Sequence, residues 1–144
     1  MSYRKIGTLL VTMLVIGSLS VVTGCASPRI YQMDSGERTA GAEGELTITT
    51  DDNGNQLLNL TVAHLPLPSR LEESMATYVV WVQPEDSNTS YNMGQIRLSD
   101  ARTGELNFTS PFPAFSLMVT AEVEPTVYAP SNQVVLRRQV TPSR

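Results

Sequence analysis

The chain has one cysteine and one histidine, Cys25 and His64. A single thiol excludes an intrachain disulfide, and one Cys with one His cannot by themselves assemble a multi-ligand zinc site or a cysteine-rich cluster. Lysine occurs once, as Lys5, and charged residues of all kinds make up only 17% of the sequence. Highly charged disorder is thereby excluded. No glycine-rich loop has the spacing of a phosphate cradle, and no stretch keeps a 3.6-residue apolar period for the length of a helix. What is present is 41% apolar residues in 144, enough for one domain with a real core and too few for two.

The most specific pattern lies at the N-terminus, where Arg4 and Lys5 precede an uncharged run from Ile6 to Val22 and then Thr23, Gly24 and Cys25. A charged start, an apolar stretch and small residues are the architecture of a secretory signal. By length alone the run would also serve as an uncleaved membrane anchor, although Gly7, Gly17, Ser18 and Ser20 dilute it. The four residues Val22-Thr23-Gly24-Cys25 resemble the lipobox of bacterial lipoproteins: an aliphatic residue, two small ones, then a cysteine. The resemblance implies that Cys25 receives a diacylglyceryl group and that cleavage between Gly24 and Cys25 leaves it as residue one. It also implies a partner, the membrane itself, because two or more acyl chains at about 0.8 kcal/mol per buried methylene anchor stably where one does not. The expected location is the cell envelope, and with Ala26 after the cysteine the outer membrane if the cell has two.

Without residues 1–24 the chain carries eight arginines, no lysine and fourteen acids, a net charge of −6. Nucleic acid is not an expected partner, since phosphate binding needs clustered cations. Anionic headgroups have little to attract, so the lipid must do the anchoring. No cofactor is expected.

The segment Ala26 to Glu43 is polar and without sustained periodicity, and residues 25–43 are expected to form a flexible tether. The alternative is that Ile30 and Tyr31 add a short first strand. Beyond it, residues 44–144 read as a β domain. Seven short runs rich in Val, Ile, Leu, Thr and aromatics are bounded by turn residues: Glu45–Thr50, Gln56–His64, Thr77–Gln83, Met93–Ser99, Glu105–Thr109, Phe115–Glu124 and Gln133–Val140. Leu58, Leu60 and Val62 alternate with Asn59 and Thr61, which is the period of a half-buried strand. Asn53-Gly54 supplies a hairpin turn between the first two runs. Leu65-Pro66-Leu67-Pro68 interrupts pairing, because each proline lacks an N–H. Thr77 to Gln83 is nearly continuous in apolar character, as a strand buried on both faces would be. The expected fold is all-β, a two-sheet antiparallel sandwich of immunoglobulin-like type with about seven strands; a closed barrel is its rival.

Candidate functional residues are few. Trp81 and Tyr91 are candidate binding aromatics, although Trp81 is read first as the large side chain that fills a sandwich core. His64 stands at a strand end with no Ser or Asp in a recognisable catalytic motif. Asp51-Asp52-Asn53-Gly54-Asn55 offers oxygen ligands but lacks the distal Glu of a calcium loop, and the hairpin accounts for it. Three Asn-x-Ser/Thr triplets begin at Asn59, Asn88 and Asn107; two fall in expected strands. The acid pairs Glu72-Glu73, Glu85-Asp86 and Glu122 with Glu124 are read as solubilising charge.

Residues 78–138, with YVVWVQP, MGQIRLSDARTGELNFTSPF, FSLMVTAEVEP and APSNQVVLRR, resemble the extracytoplasmic C-terminal domain of the anti-sigma-K factor family. The resemblance implies a β-sandwich. That family also has a cytoplasmic sigma-binding part and a spanning helix, neither of which is expected here, so sigma-factor inhibition is not carried over. The expectation is a lipid-anchored, noncatalytic interaction or structural module with an envelope protein as partner, touching it through Pro66–Ser74 and Pro84–Tyr91. The alternatives are a sensor or regulatory ectodomain and a carboxylate hydrolase using Glu72 and Glu73.

Overall fold

The computed structural model describes residues 27–142. They form nine strands, β1 (Arg29–Gln32), β2 (Asp34–Ser35), β3 (Glu43–Thr50), β4 (Gln56–Ala63), β5 (Thr77–Pro84), β6 (Tyr91–Ile96), β7 (Gly104–Ser110), β8 (Phe115–Glu122) and β9 (Val134–Val140). Two short 3₁₀ turns, Glu37–Thr39 and Pro68–Arg70, interrupt them. One sheet has the order β1-β3-β4-β7 and the other β2-β9-β8-β5-β6, every pairing antiparallel. The chain changes sheet after β1, β2, β4, β6 and β7, with hairpins β3–β4, β5–β6 and β8–β9 between the crossings. This is the Greek-key connectivity of an immunoglobulin-like sandwich, and neither sheet closes into a barrel.

The alternation read from the sequence decides which face each strand buries. In β3 and β4, Leu46, Ile48, Leu58, Leu60 and Val62 point inward, while Glu45, Thr47, Asn59 and Thr61 point out. From the other sheet Tyr78, Val80, Val82, Phe115, Leu117, Val119 and Leu136 close the same core, all 1% exposed or less. Each fully buried side chain of this kind contributes about 1.5–3 kcal/mol relative to leaving it exposed. The two sheets also approach closely at β6 and β7. A methyl group on Gly104 would sit 2.5 Å from Ile96 Cγ2 and 3.0 Å from the Arg97 carbonyl oxygen.

The hairpin β3–β4 turns through Asp51–Asn55 as expected, with Gly54 at φ +84°. Asp51 accepts hydrogen bonds from the backbone N–H groups of Asn53 (2.9 Å) and Asn55 (2.8 Å) and from the Asn55 side chain (3.1 Å). The Asn55 side chain, then its backbone, hold the Asp51 carboxyl below the usual carboxylate range.

The expected tether from Ala26 to Glu43 is corrected by the structure, because the chain is folded from Arg29 onward. β1 pairs along β3 and β2 along β9, so this segment bridges both sheets. Its polar character misled because β1 is an edge strand with one covered face. Tyr31 packs on the core while Ile30 is 62% exposed. Met33 and Ala42 are buried, and Thr39 donates a 2.9 Å hydrogen bond to the Val135 carbonyl. Two expected strand ends also move. β6 is Tyr91–Ile96 and not Met93–Ser99, because β5 pairs Trp81 with Asn92 and Val82 with Tyr91 across a bulge. β8 stops at Glu122, leaving Val123 exposed.

Tyr78 ties the proline-rich β4–β5 connection to the core by donating from its hydroxyl to the Pro66 carbonyl at 2.9 Å. Burial pushes the Tyr78 hydroxyl up to about 12. A phenol whose folded value exceeds its unfolded value of about 10 contributes stability in full below pH 10 and loses it as pH rises towards 12. The melting temperature is therefore expected to fall between about pH 10 and 12, and Tyr78→Phe is expected to flatten that decline while lowering stability at pH 7 by about 1 kcal/mol. Amide hydrogen exchange provides a second check: the ladder amides of β1 should exchange at least tenfold more slowly than unstructured chain, which a free tether would not do.

Candidate functional site

Strand β5 places Trp81 on the outer face of its sheet, opposite the main core. The residue is nevertheless fully buried, with Val79, Met118 and Val127 around it. Its cover is the β8–β9 connection, residues 123–133, which folds back across the sheet. Asn92 of β6 holds that connection by donating to the Pro125 carbonyl (2.9 Å) and the Val127 carbonyl (3.2 Å). Beneath it runs a polar chain. Trp81 Nε1 donates to Thr120 Oγ1 at 2.8 Å, Thr120 donates to Glu122 Oε1, and the same carboxylate oxygen accepts the Ser131 backbone N–H at 2.7 Å. Ser131 Oγ donates in turn to the Ala121 carbonyl at 2.8 Å.

Trp81 thus offers no surface to a ligand, which corrects its place among the binding candidates. The physical reason is that an indole on an outward face still seeks cover, and the Val127 side chain and the surrounding backbone supply it. Glu122, read from the sequence as solubilising charge, is 3% exposed, and Thr120 on the same face of β8 is 0% exposed. Their burial has no signal in strand periodicity, which assigns a face but cannot say whether a loop lies on it. The aromatic that the connection does present is Tyr128, wholly exposed and not singled out by the sequence.

Tyr91 is 43% exposed and its ring lies 5.4 Å from that of Phe112. Beside them Pro84, Glu85, Asp86, Phe112, Pro113 and Ala114 line an open groove of about 410 Å³. The two expected contact segments do not form one surface. Pro84 pairs with Phe115 at the start of β8, whereas Thr77, which follows the Pro66–Ser74 segment, pairs with Glu122 at its end. The segments therefore sit at opposite ends of the sandwich, about 27 Å apart along an eight-residue strand.

Three further polar side chains singled out by the sequence have local partners. His64 takes φ +56° at the end of β4, and its Nδ1 is 3.6 Å from Glu43 Oε1, both side chains well exposed. Glu72 accepts from Ser74 (3.3 Å) and from Gln133 Nε2 (3.1 Å), tying the β4–β5 and β8–β9 connections together. Asn59 donates to both Asn107 and Glu105, so two of the three glycosylation-like asparagines belong to one polar ladder on the outer face of the β3–β4–β7 sheet. Near it a hollow of about 550 Å³ is lined by Gln32, Glu43, Glu45, Thr61, Thr103 and Glu105. Among the described residues no group of three His, Cys, Asp or Glu side chains is placed to hold a metal ion, and no helix is long and apolar enough to cross a membrane. Gly24 and Cys25 lie outside the described residues.

Comparison with protein-family models, with curated proteins and with solved structures returned no match.

The Trp81–Thr120–Glu122 chain can be tested directly, because Trp81 is the sole tryptophan and its emission reports on its own surroundings. Thr120→Val keeps the volume, removes the hydroxyl and leaves a buried indole N–H without an acceptor. The urea midpoint followed by Trp81 emission is expected to fall by the equivalent of about 1–3 kcal/mol, with the slope unchanged.

Proposed function

We propose that this chain is a lipid-anchored protein of the bacterial cell envelope whose β-sandwich works as a noncatalytic interaction or structural module. The observation that carries the reading is Val22-Thr23-Gly24-Cys25: the only cysteine in the chain occupies the one position at which the lipobox pattern requires it. The acylated cysteine fixes the domain to a bilayer without a spanning helix. An envelope protein is the partner, and in a cell with two membranes the anchor sits in the outer one. The noncatalytic part of the reading is supported by where the reactive side chains are spent. His64 pairs with Glu43, Glu72 bridges two loops, and Glu122 organises the covering of Trp81.

Metabolic labelling with a clickable fatty acid, followed by membrane fractionation, tests the anchor. The wild-type chain is expected to take label and sediment with membranes, and Cys25→Ser to lose both. A wild type that takes no label but stays in the membrane would mean that Ile6 to Val22 acts as an uncleaved anchor, and would overturn the lipoprotein reading.

A further inference from the structure

The strand register fixes which end of the sandwich a lipid on Cys25 can reach. β1 starts at Arg29, opposite Ile48, two residues from the end of β3. Arg29 also donates to the Thr141 carbonyl at 3.1 Å, so the start of β1 and the chain beyond β9 share one end of the molecule. The Asp51–Asn55 turn lies at that end, as do the β5–β6 connection (residues 85–90) and the β7–β8 connection (residues 111–114). Gln56 Nε2 and the Pro113 carbonyl, 3.5 Å apart, join the first to the last of them. At the opposite end are the β4–β5 connection, the turn between β6 and β7, and the point where the Tyr128 connection leaves β8.

Only Ala26, Ser27 and Pro28 separate Cys25 from β1. Extended chain covers at most about 3.6 Å per residue, so the start of β1 can lie no more than about 14 Å from the cysteine Cα. Pro28 fixes its own φ and restricts Ser27 to extended backbone, which stiffens this short link. A three-residue link holds the start of β1 closer to the bilayer than a tether running to Glu43 would.

We propose that the domain stands end-on on the bilayer, its 51–55, 85–90 and 111–114 loops forming the surface that faces the lipid headgroups. The inference rests on the lipidated Cys25 of the preceding reading. Among the described residues, the loops and strand start at the facing end carry Asp51, Asp52, Glu85 and Asp86 against Arg29. With a Debye length of about 8 Å, these carboxylates repel an anionic leaflet only where the link brings them within about that distance of it, which a reach of about 14 Å or less allows. Because the chain from Cys25 onward carries fourteen acids against eight arginines, an anionic leaflet also repels the body that the short link leaves free and favours the orientation in which the strands rise from the membrane plane. The end about one strand length further out, roughly 27 Å, is then the one open to other proteins.

The experiment uses the chain from Cys25 onward, coupled through its single thiol to vesicles containing a maleimide lipid, so that cellular lipidation plays no part in the outcome. Because this chain has no lysine, Asn53→Lys and Ser69→Lys each introduce one amine for a donor dye at the facing and opposite ends. The unsubstituted chain, labelled only at its N-terminus, supplies the baseline. Energy transfer to a headgroup acceptor is expected to be at least threefold stronger from position 53 than from position 69. Raising the anionic lipid content is expected to lower transfer from position 53, and Asp52→Asn with Glu85→Gln and Asp86→Asn to abolish that dependence. Equal transfer from both positions would mean that the domain lies flat, and weak transfer from both that β1 detaches to lengthen the link. Either result overturns the proposal while leaving the lipoprotein reading intact, whereas failed fatty-acid labelling with normal vesicle transfer would remove the reading and not the geometry.

Discussion

Burying both faces of β5 is the constraint on which the arrangement of the other elements depends. Six consecutive residues, Thr77 to Val82, are buried, so a sheet with one wet face could not hold this strand. Its inward side chains Tyr78, Val80 and Val82 meet the β3–β4 sheet, which is the ordinary solution for a sandwich. The outward side chains Val79 and Trp81 need a second solution. It is provided by the β8–β9 connection, long enough to lie across the sheet and held there by Asn92 from one side and Glu122 from below.

That second covering explains where polarity sits inside the molecule. Trp81 cannot be buried without an acceptor for its indole N–H, and Thr120 supplies it from the neighbouring strand. Glu122 then receives the Thr120 proton donor and the Ser131 amide, so the carboxylate orders the connection that hides the tryptophan. The connection leaves Tyr128 wholly exposed at its surface.

The first residues of the domain obey the same logic at the opposite edge of the sandwich. β1 and β2 extend one sheet and then the other, and the chain between them buries Met33 against Gly44, whose missing Cβ leaves room for it. An edge strand needs one covered face, which is why Arg29–Gln32 shows no run of apolar residues. With this segment folded, only three residues separate Cys25 from β1.

By itself the sequence determined the fold class, because alternation at period two, clearest in β4, states which side of a strand must leave water, and the turn residues bound the runs. It determined the turns, where Asn-Gly and the prolines permit nothing else, and the placing of the sole cysteine after a small-residue pair. It also marked β5 as doubly buried. Only the tertiary structure decided what lies on the outer face of β5, since periodicity assigns a side chain to a face and carries no information about a loop returning from forty residues further along. It decided that Pro66–Ser74 and Pro84–Tyr91 are at opposite ends, a matter of strand direction in the assembled sheet. And it decided that Arg29 begins the domain, because an edge strand draws its stability from the neighbour it pairs with and leaves little trace in its own composition.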